Sequence, residues 1–213
     1  MSTFYRKSCR CAVCGRENEY EEIGSTNAFG APDLDLRPPQ MQRDTMFLWV
    51  HECPDCGYTA ASVDDETSVD AEFLNSPEYR SCDGIVFKSS LAVRFYKLYK
   101  IKLRDGNGRA AFFAVLHAAW ACDDSGDEEN AIRCRTLALR QISELIEENT
   151  DDRDTLVVLK ADLLRRADML DELREEYASV SFEDETLNKI VAFHLSLADL
   201  GDTTCYTVQD AMK

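Results

Sequence analysis

Four cysteines in two short doublets carry the clearest chemistry in this chain: Cys11-Ala-Val-Cys14-Gly15 and Cys53-Pro-Asp-Cys56-Gly57. Each doublet can present two thiolates from one tight turn, and four thiolates from two such turns are the donor set of a tetrahedral zinc site. The glycine after each second cysteine supplies the positive φ that closes the turn without a Cβ clash. The expected ligands are therefore Cys11, Cys14, Cys53 and Cys56, and the expected cofactor is structural zinc. Four cysteine ligands leave the metal no open position for water or substrate, so the site points to folding and not to catalysis. Cys9 offers a rival Cys9-x-Cys11 spacing, ranked lower because only Cys11/Cys14 repeats the second doublet. His51, two residues before Cys53, is expected either as a donor behind the ligands or as an ordinary strand residue. A redox doublet would sit at a helix N-terminus after a strand, and neither doublet has that context.

Three other groups could carry chemistry. In Asp33-Leu-Asp35-Leu-Arg37, a strand would place the three charged side chains on one face and the leucines on the other. That pattern suits a half-buried ion-paired strand or a recognition surface. Acid–base work by the two carboxylates would need a nucleophile, a histidine or a second metal nearby, and the sequence names none. His117 and His194 lie in apolar helical stretches and read as core histidines. Between Lys88 and Arg109 there are seven Lys or Arg and one acid, Asp105. Within it Arg94, Lys97, Lys100 and Arg104 fall on one side of a helical wheel, either neutralised inside the fold or offered to an acidic partner or a phosphate backbone. Nucleotide-loop, hydrolase, zincin and EF-hand patterns are absent, so an enzyme is the less favoured class. The loop Asp105-Gly-Asn-Gly-Arg109 reads as a helix terminator.

The elements that must position these groups divide the chain in three. Residues 1–63 read as a zinc-ribbon-like β module, with Met46-Phe-Leu-Trp-Val50 as a strand leading into the second doublet. Residues 64–88 form an acidic connector with a short helix boundary near Asn75 to Glu78. Residues 89–213 turn to a helical period, with helices expected at about 91–103, 109–122, 128–147, 154–166, 170–178 and 185–200 and a short last one from about Thr203. The stretch 109–122 is apolar nearly all round, as a helix buried in a bundle would be. Similar turns at Asp124-Ser-Gly126-Asp127, Arg166-Ala-Asp168 and Leu200-Gly-Asp202 suggest a weak repeat of tetratricopeptide type, against an ordinary bundle. The fold class is α+β, a small N-terminal metal module followed by an all-α domain.

The chain has 213 residues and a formal net charge of −16, which disfavours generic binding to nucleic acid or anionic membrane. No run of 18 apolar residues suggests a membrane span. The expected compartment is the reducing cytoplasm, with Cys82, Cys122, Cys134 and Cys205 as buried small hydrophobes.

The doublets, together with Ala31-Pro-Asp-Leu-Asp-Leu-Arg-Pro-Pro39, Trp49-Val-His-Glu-Cys-Pro-Asp-Cys-Gly-Tyr58 and Ala118-Ala-Trp-Ala-Cys-Asp-Asp124, resemble a bacterial family known as domain of unknown function 2225. The resemblance covers most of the chain. It implies a metal-binding N-terminal segment joined to tetratricopeptide-like helices and brings no established activity. The leading expectation is a non-enzymatic binding or scaffold protein that holds a protein or peptide partner. The alternative is a nucleic-acid-associated zinc-ribbon protein using the basic stripe.

Overall fold

The structure is a computed structural model and describes residues 1–148 and 151–213. Strands β1 (Thr3–Arg10) and β2 (Glu17–Ser25) pair antiparallel, and the first cysteine doublet is the turn that joins them. After the short helix α1 (Gln40–Arg43), strands β3 (His51–Glu52) and β4 (Thr59–Ala60) pair antiparallel around the second doublet. Each doublet thus sits at the head of its own hairpin.

The strand expected over 46–50 is instead a 3-10 turn, Met46–Leu48. Local bonds decide this: Leu48 N–H donates to the Thr45 carbonyl and Trp49 N–H to that of Met46. The Trp49 indole N–H also donates to the Thr45 hydroxyl at 3.0 Å. Pairing begins only at His51.

Asp33 to Arg37 is not a strand either. Leu36 N–H donates to the Asp33 carbonyl and Asp33 N–H to that of Arg37, which closes a tight turn with Leu36 at φ 68°. The two leucines therefore part company: Leu34 is buried and Leu36 is 41% exposed.

In the connector, α2 (Ala71–Asn75) is capped by Asp70, and α3 (Pro77–Arg80) by Ser76, with Pro77 in the first turn where its missing N–H costs nothing. The helical body follows as α4 (Ser90–Arg104), α5 (Gly108–Asp124), α6 (Glu128–Glu147), α7 (Arg153–Arg166), α8 (Leu170–Tyr177) and α9 (Glu185–Asp199). Helix α5 packs between α4 and α6, which explains its apolar girth; α6 packs on α7, and α7 on α8 and α9. Four helix ends share one device. Gly106, Gly126, Asp168 and Gly201 take φ between 61° and 71°. Behind each, an N–H reaches the carbonyl five residues earlier at 2.9 Å: Asn107 to Lys102, Asp127 to Cys122, Met169 to Leu164 and Asp202 to Leu197. This is the left-handed stop that satisfies terminal carbonyls.

The last expected helix does not form. Asp202 draws in Thr204 N–H and the Thr204 and Tyr206 hydroxyls, which turns the chain out of helix. The tail then runs beside residues 32–34: Leu34 N–H donates to the Tyr206 carbonyl and Val208 N–H to that of Pro32. Only Asp210–Met212 is a 3-10 turn.

The main hydrophobic cluster includes Leu34, Met46 and Val50 alongside the buried faces of the helices. A second, smaller cluster joins Cys11 and Cys53 to Tyr58, Leu74, Tyr79 and Ile101, the last from α4.

Candidate metal centre and its supports

The two hairpin heads bring Cys11, Cys14, Cys53 and Cys56 together, with their sulfurs all within 4.8 Å of one another. Cys11 Sγ lies 3.7 Å from Cys56 Sγ, and Cys14 Sγ 3.7 Å from Cys53 Sγ. A tetrahedral zinc with bonds of about 2.3 Å requires sulfurs about 3.8 Å apart, so the donor set fits the ion. The two turns are built alike. Gly15 N–H donates to the Cys11 carbonyl and Gly57 N–H to the Cys53 carbonyl; Cys11 N–H donates to Arg16 and Cys53 N–H to Tyr58. Gly15 and Gly57 stand at φ 70° and 77°, the conformation expected of them. Cys9 lies on β1 opposite Asn18 and is not in the cluster.

Electrostatics differ within the set. The backbone N–H of Arg16 draws the Cys14 thiol down, while burial pushes Cys53 and Cys56 up. A metal must therefore displace protons to bind. His51 is buried and faces the first hairpin: its ring meets Tyr20 edge-on at 5.4 Å, and its Nε2 lies 3.7 Å from Glu22 Oε1. No hydrogen bond joins it to a cysteine among the described residues. Tyr79 of α3 donates its hydroxyl to the Gly57 carbonyl at 2.6 Å, which ties the connector to the second turn.

Of the two alternatives for the basic stripe, Arg94, Lys97 and Lys100 follow the one in which it is neutralised inside the fold, while Arg104 stays exposed. Arg94 donates to the Val50 and Phe47 carbonyls, and Lys97 pairs with Glu52 at 2.7 Å. Lys100 pairs with Glu78 and Asp83, and Arg104 lies over the Phe73 ring. The stripe clamps α4 to β3 and to the connector.

Asp33, Asp35 and Arg37 are turned inward, with 5%, 1% and 4% of their surface exposed, as in the half-buried ion-paired alternative. Asp33 pairs with Arg43, and Arg37 with Asp124. Asp35 accepts from the Trp120 indole at 2.7 Å and from Arg166 at 3.0 Å, and takes the Arg37 backbone N–H on its other oxygen. Asp123 accepts from both Arg135 and Arg166. Burial pushes the Asp123 carboxyl up, but those two guanidinium groups hold it below the usual carboxylate range. The network joins the 33–37 turn to α5, α6 and α7.

Sequence reasoning missed Trp120, Asp123, Arg135 and Arg166, and also Arg165. That last side chain is fully buried and donates to Asp162, His194 Nδ1 and the Asp202 and Thr204 carbonyls. A legible signal existed: Arg135 and Arg165 interrupt apolar helical faces, and a charge on such a face demands a buried partner. Burial, then the charge of Arg165, pulls His194 down to about 3, so it accepts as a neutral imidazole. Cys82, Cys122 and Cys134 are buried as expected, whereas Cys205 is exposed on the extended tail.

A bacterial family described as "Uncharacterized protein conserved in bacteria (DUF2225)" matches residues 4–192. The chain belongs to this family. The match runs from β1 into α9 and so takes in both hairpins and most of the helical body. No curated protein and no solved structure matches the chain. Among the described residues no helix is long and apolar enough to cross a membrane.

Proposed function

We propose that this DUF2225 protein is a non-enzymatic binding or scaffold protein, in which structural zinc holds the N-terminal module (1–63) and tetratricopeptide-like helices (89–213) hold a protein or peptide partner. The observation that carries this reading is the donor set. Four thiolates at tetrahedral spacing close the coordination sphere, so the metal shapes the fold and leaves no place for a substrate. The recurrent left-handed helix stops support the repeat-like stacking, which generates extended partner surfaces. Zinc thiolates of this kind suit a reducing cytoplasm. The alternative, nucleic-acid association through Arg94, Lys97, Lys100 and Arg104, is less favoured because Arg94, Lys97 and Lys100 are engaged within the chain, which leaves Arg104 as the exposed member.

The test is to purify the untagged protein from its own cytosol with what travels with it, with and without nuclease. Stoichiometric zinc and a protein partner that survives nuclease are the expected result. Partners lost on nuclease treatment, or turnover of a substrate abolished by a polar substitution that leaves the fold intact, would overturn it.

A further inference from the structure

A cavity of about 410 Å³ opens between the 28–42 segment and α5, away from the metal centre. Trp49, Phe113, His117 and Trp120 line it, with Leu36, Gln42 and three prolines, Pro32, Pro38 and Pro39, around them. Four observations define what it can hold.

First, the lining carries no Lys, Arg, Asp or Glu, in a chain with 64 such residues (24 basic and 40 acidic). A charged ligand would enter without a counter-charge, a cost an uncharged one avoids. Second, the aromatic walls are fixed in advance. The Trp49 indole N–H is held by Thr45 and the Trp120 indole N–H by Asp35 within the ionic network. Both tryptophans therefore have their polar handles occupied: half-buried Trp49 offers ring surface, Trp120, 2% exposed, closes the floor, and holding them in place adds no cost on binding.

Third, His117 sits among aromatic rings, 4.7 Å from Trp120, 5.3 Å from Trp49 and 5.1 Å from Phe95 between centroids. Neither of its ring nitrogens has a hydrogen-bond partner among the described residues, and neither is sealed among the chain's enclosed unpartnered atoms. Burial pulls it down to about 3, so near neutral pH it offers one donor and one acceptor. Fourth, Leu36 holds an apolar side chain exposed at the rim from a left-handed backbone that leucine rarely adopts. Non-glycine residues held this way cluster at ligand sites.

We infer that this cavity binds a small, uncharged, flat heteroaromatic molecule, stacked against Trp49 above a floor closed by Trp120 and hydrogen-bonded through its ring nitrogen edge to His117. The volume lies at the small end of ligand pockets, which suits one or two rings and not an extended chain. This inference is independent of the scaffold reading, since neither the zinc nor a macromolecular partner enters it.

The chain has two tryptophans, and both line the cavity, so the full-length zinc-loaded protein labelled with 5-fluorotryptophan gives two fluorine signals, each a reporter of this site. Titration with indole and benzimidazole should move both signals saturably. Indene, which has the shape of indole without its N–H, should bind about tenfold more weakly, the worth of one such hydrogen bond. His117→Phe should erase the difference between indole and indene. In the unsubstituted protein, three results would each overturn the inference: no saturable shift up to the solubility of the probes, indene bound as tightly as indole, or cationic tryptamine bound more tightly than indole.

Discussion

The N-terminal segment is held at two places, one internal to it and one that joins it to the helices, that solve the same problem by opposite means. At the hairpin heads, four thiols 4.8 Å or less apart form a cluster that could hold a metal ion. At the 33–37 turn, carboxylates and guanidinium groups from within the chain satisfy one another. The first support is local and modular, with two doublets, each complete within a few residues. The second is dispersed: Asp35 meets Trp120 and Arg166, which lie 85 and 131 residues further along the chain. A site whose missing partner is exogenous can be written compactly in sequence, whereas one that is its own partner must be assembled by the whole fold.

The most severe break in this comparison is removal of the metal. Structural zinc contributes about 10–16 kcal/mol in small zinc modules. Cys53→Ser, or a strong chelator, should release the ion and unfold both hairpin heads, read by metal analysis and by loss of their amide signals. Far-UV helicity should largely survive. If it collapses, the clamp from α4 makes the metal a support of the helices as well.

Arg166→Met attacks the other support. It leaves Asp35 and Asp123 buried with a guanidinium missing, which should cost about 3–5 kcal/mol in urea unfolding. Zinc content should stay unchanged, because the network and the thiols share no residue. A joint loss of zinc would show that the two supports are one.

How much could be read beforehand follows from the same contrast. The doublets with their glycines announced which four cysteines would meet, and amphipathic periods placed the helices between residues 90 and 199 within a residue or two, because both signals are local. The DLDLR segment was misread as a strand because its alternation fits a period of two, while its real determinant is a set of distant partners. Met46 to Val50 failed in the same way: an apolar run does not distinguish a strand from a turn whose hydrogen bonds are made by Thr45.

Acid should separate the supports further. His194 has a folded pKa of about 3 against an ordinary 6.5, so below pH 6.5 the unfolded chain binds a proton that the folded one refuses. Stability is then lost as pH falls from 6.5 towards 3, by about 2 kcal/mol between pH 7 and 5 from this group alone. Denaturant unfolding with zinc held saturating should show that loss, and His194→Gln should reduce the acid dependence by about that amount, leaving the matching contribution of buried His117.

The smallest effect is expected at the clamp. Lys97→Ala removes a half-shielded pair with Glu52 and should cost about 1 kcal/mol or less. Any affinity for short DNA or RNA should be the same before and after, measured at low salt. A salt-steep affinity that falls with this substitution would favour the phosphate-contacting alternative for the stripe.

The pairing of residues 32–34 with 206–208 also fixes an order of events during synthesis. A chain emerging from the ribosome presents both cysteine doublets long before Tyr206 exists to receive Leu34. Asp35 in turn has no Trp120 or Arg166 until those later residues have been made, and the 33–37 turn cannot settle before them. The four clustered cysteines are therefore available to the nascent chain while the ionic fastening is not, and the growing protein carries an unfastened turn until its later helices arrive.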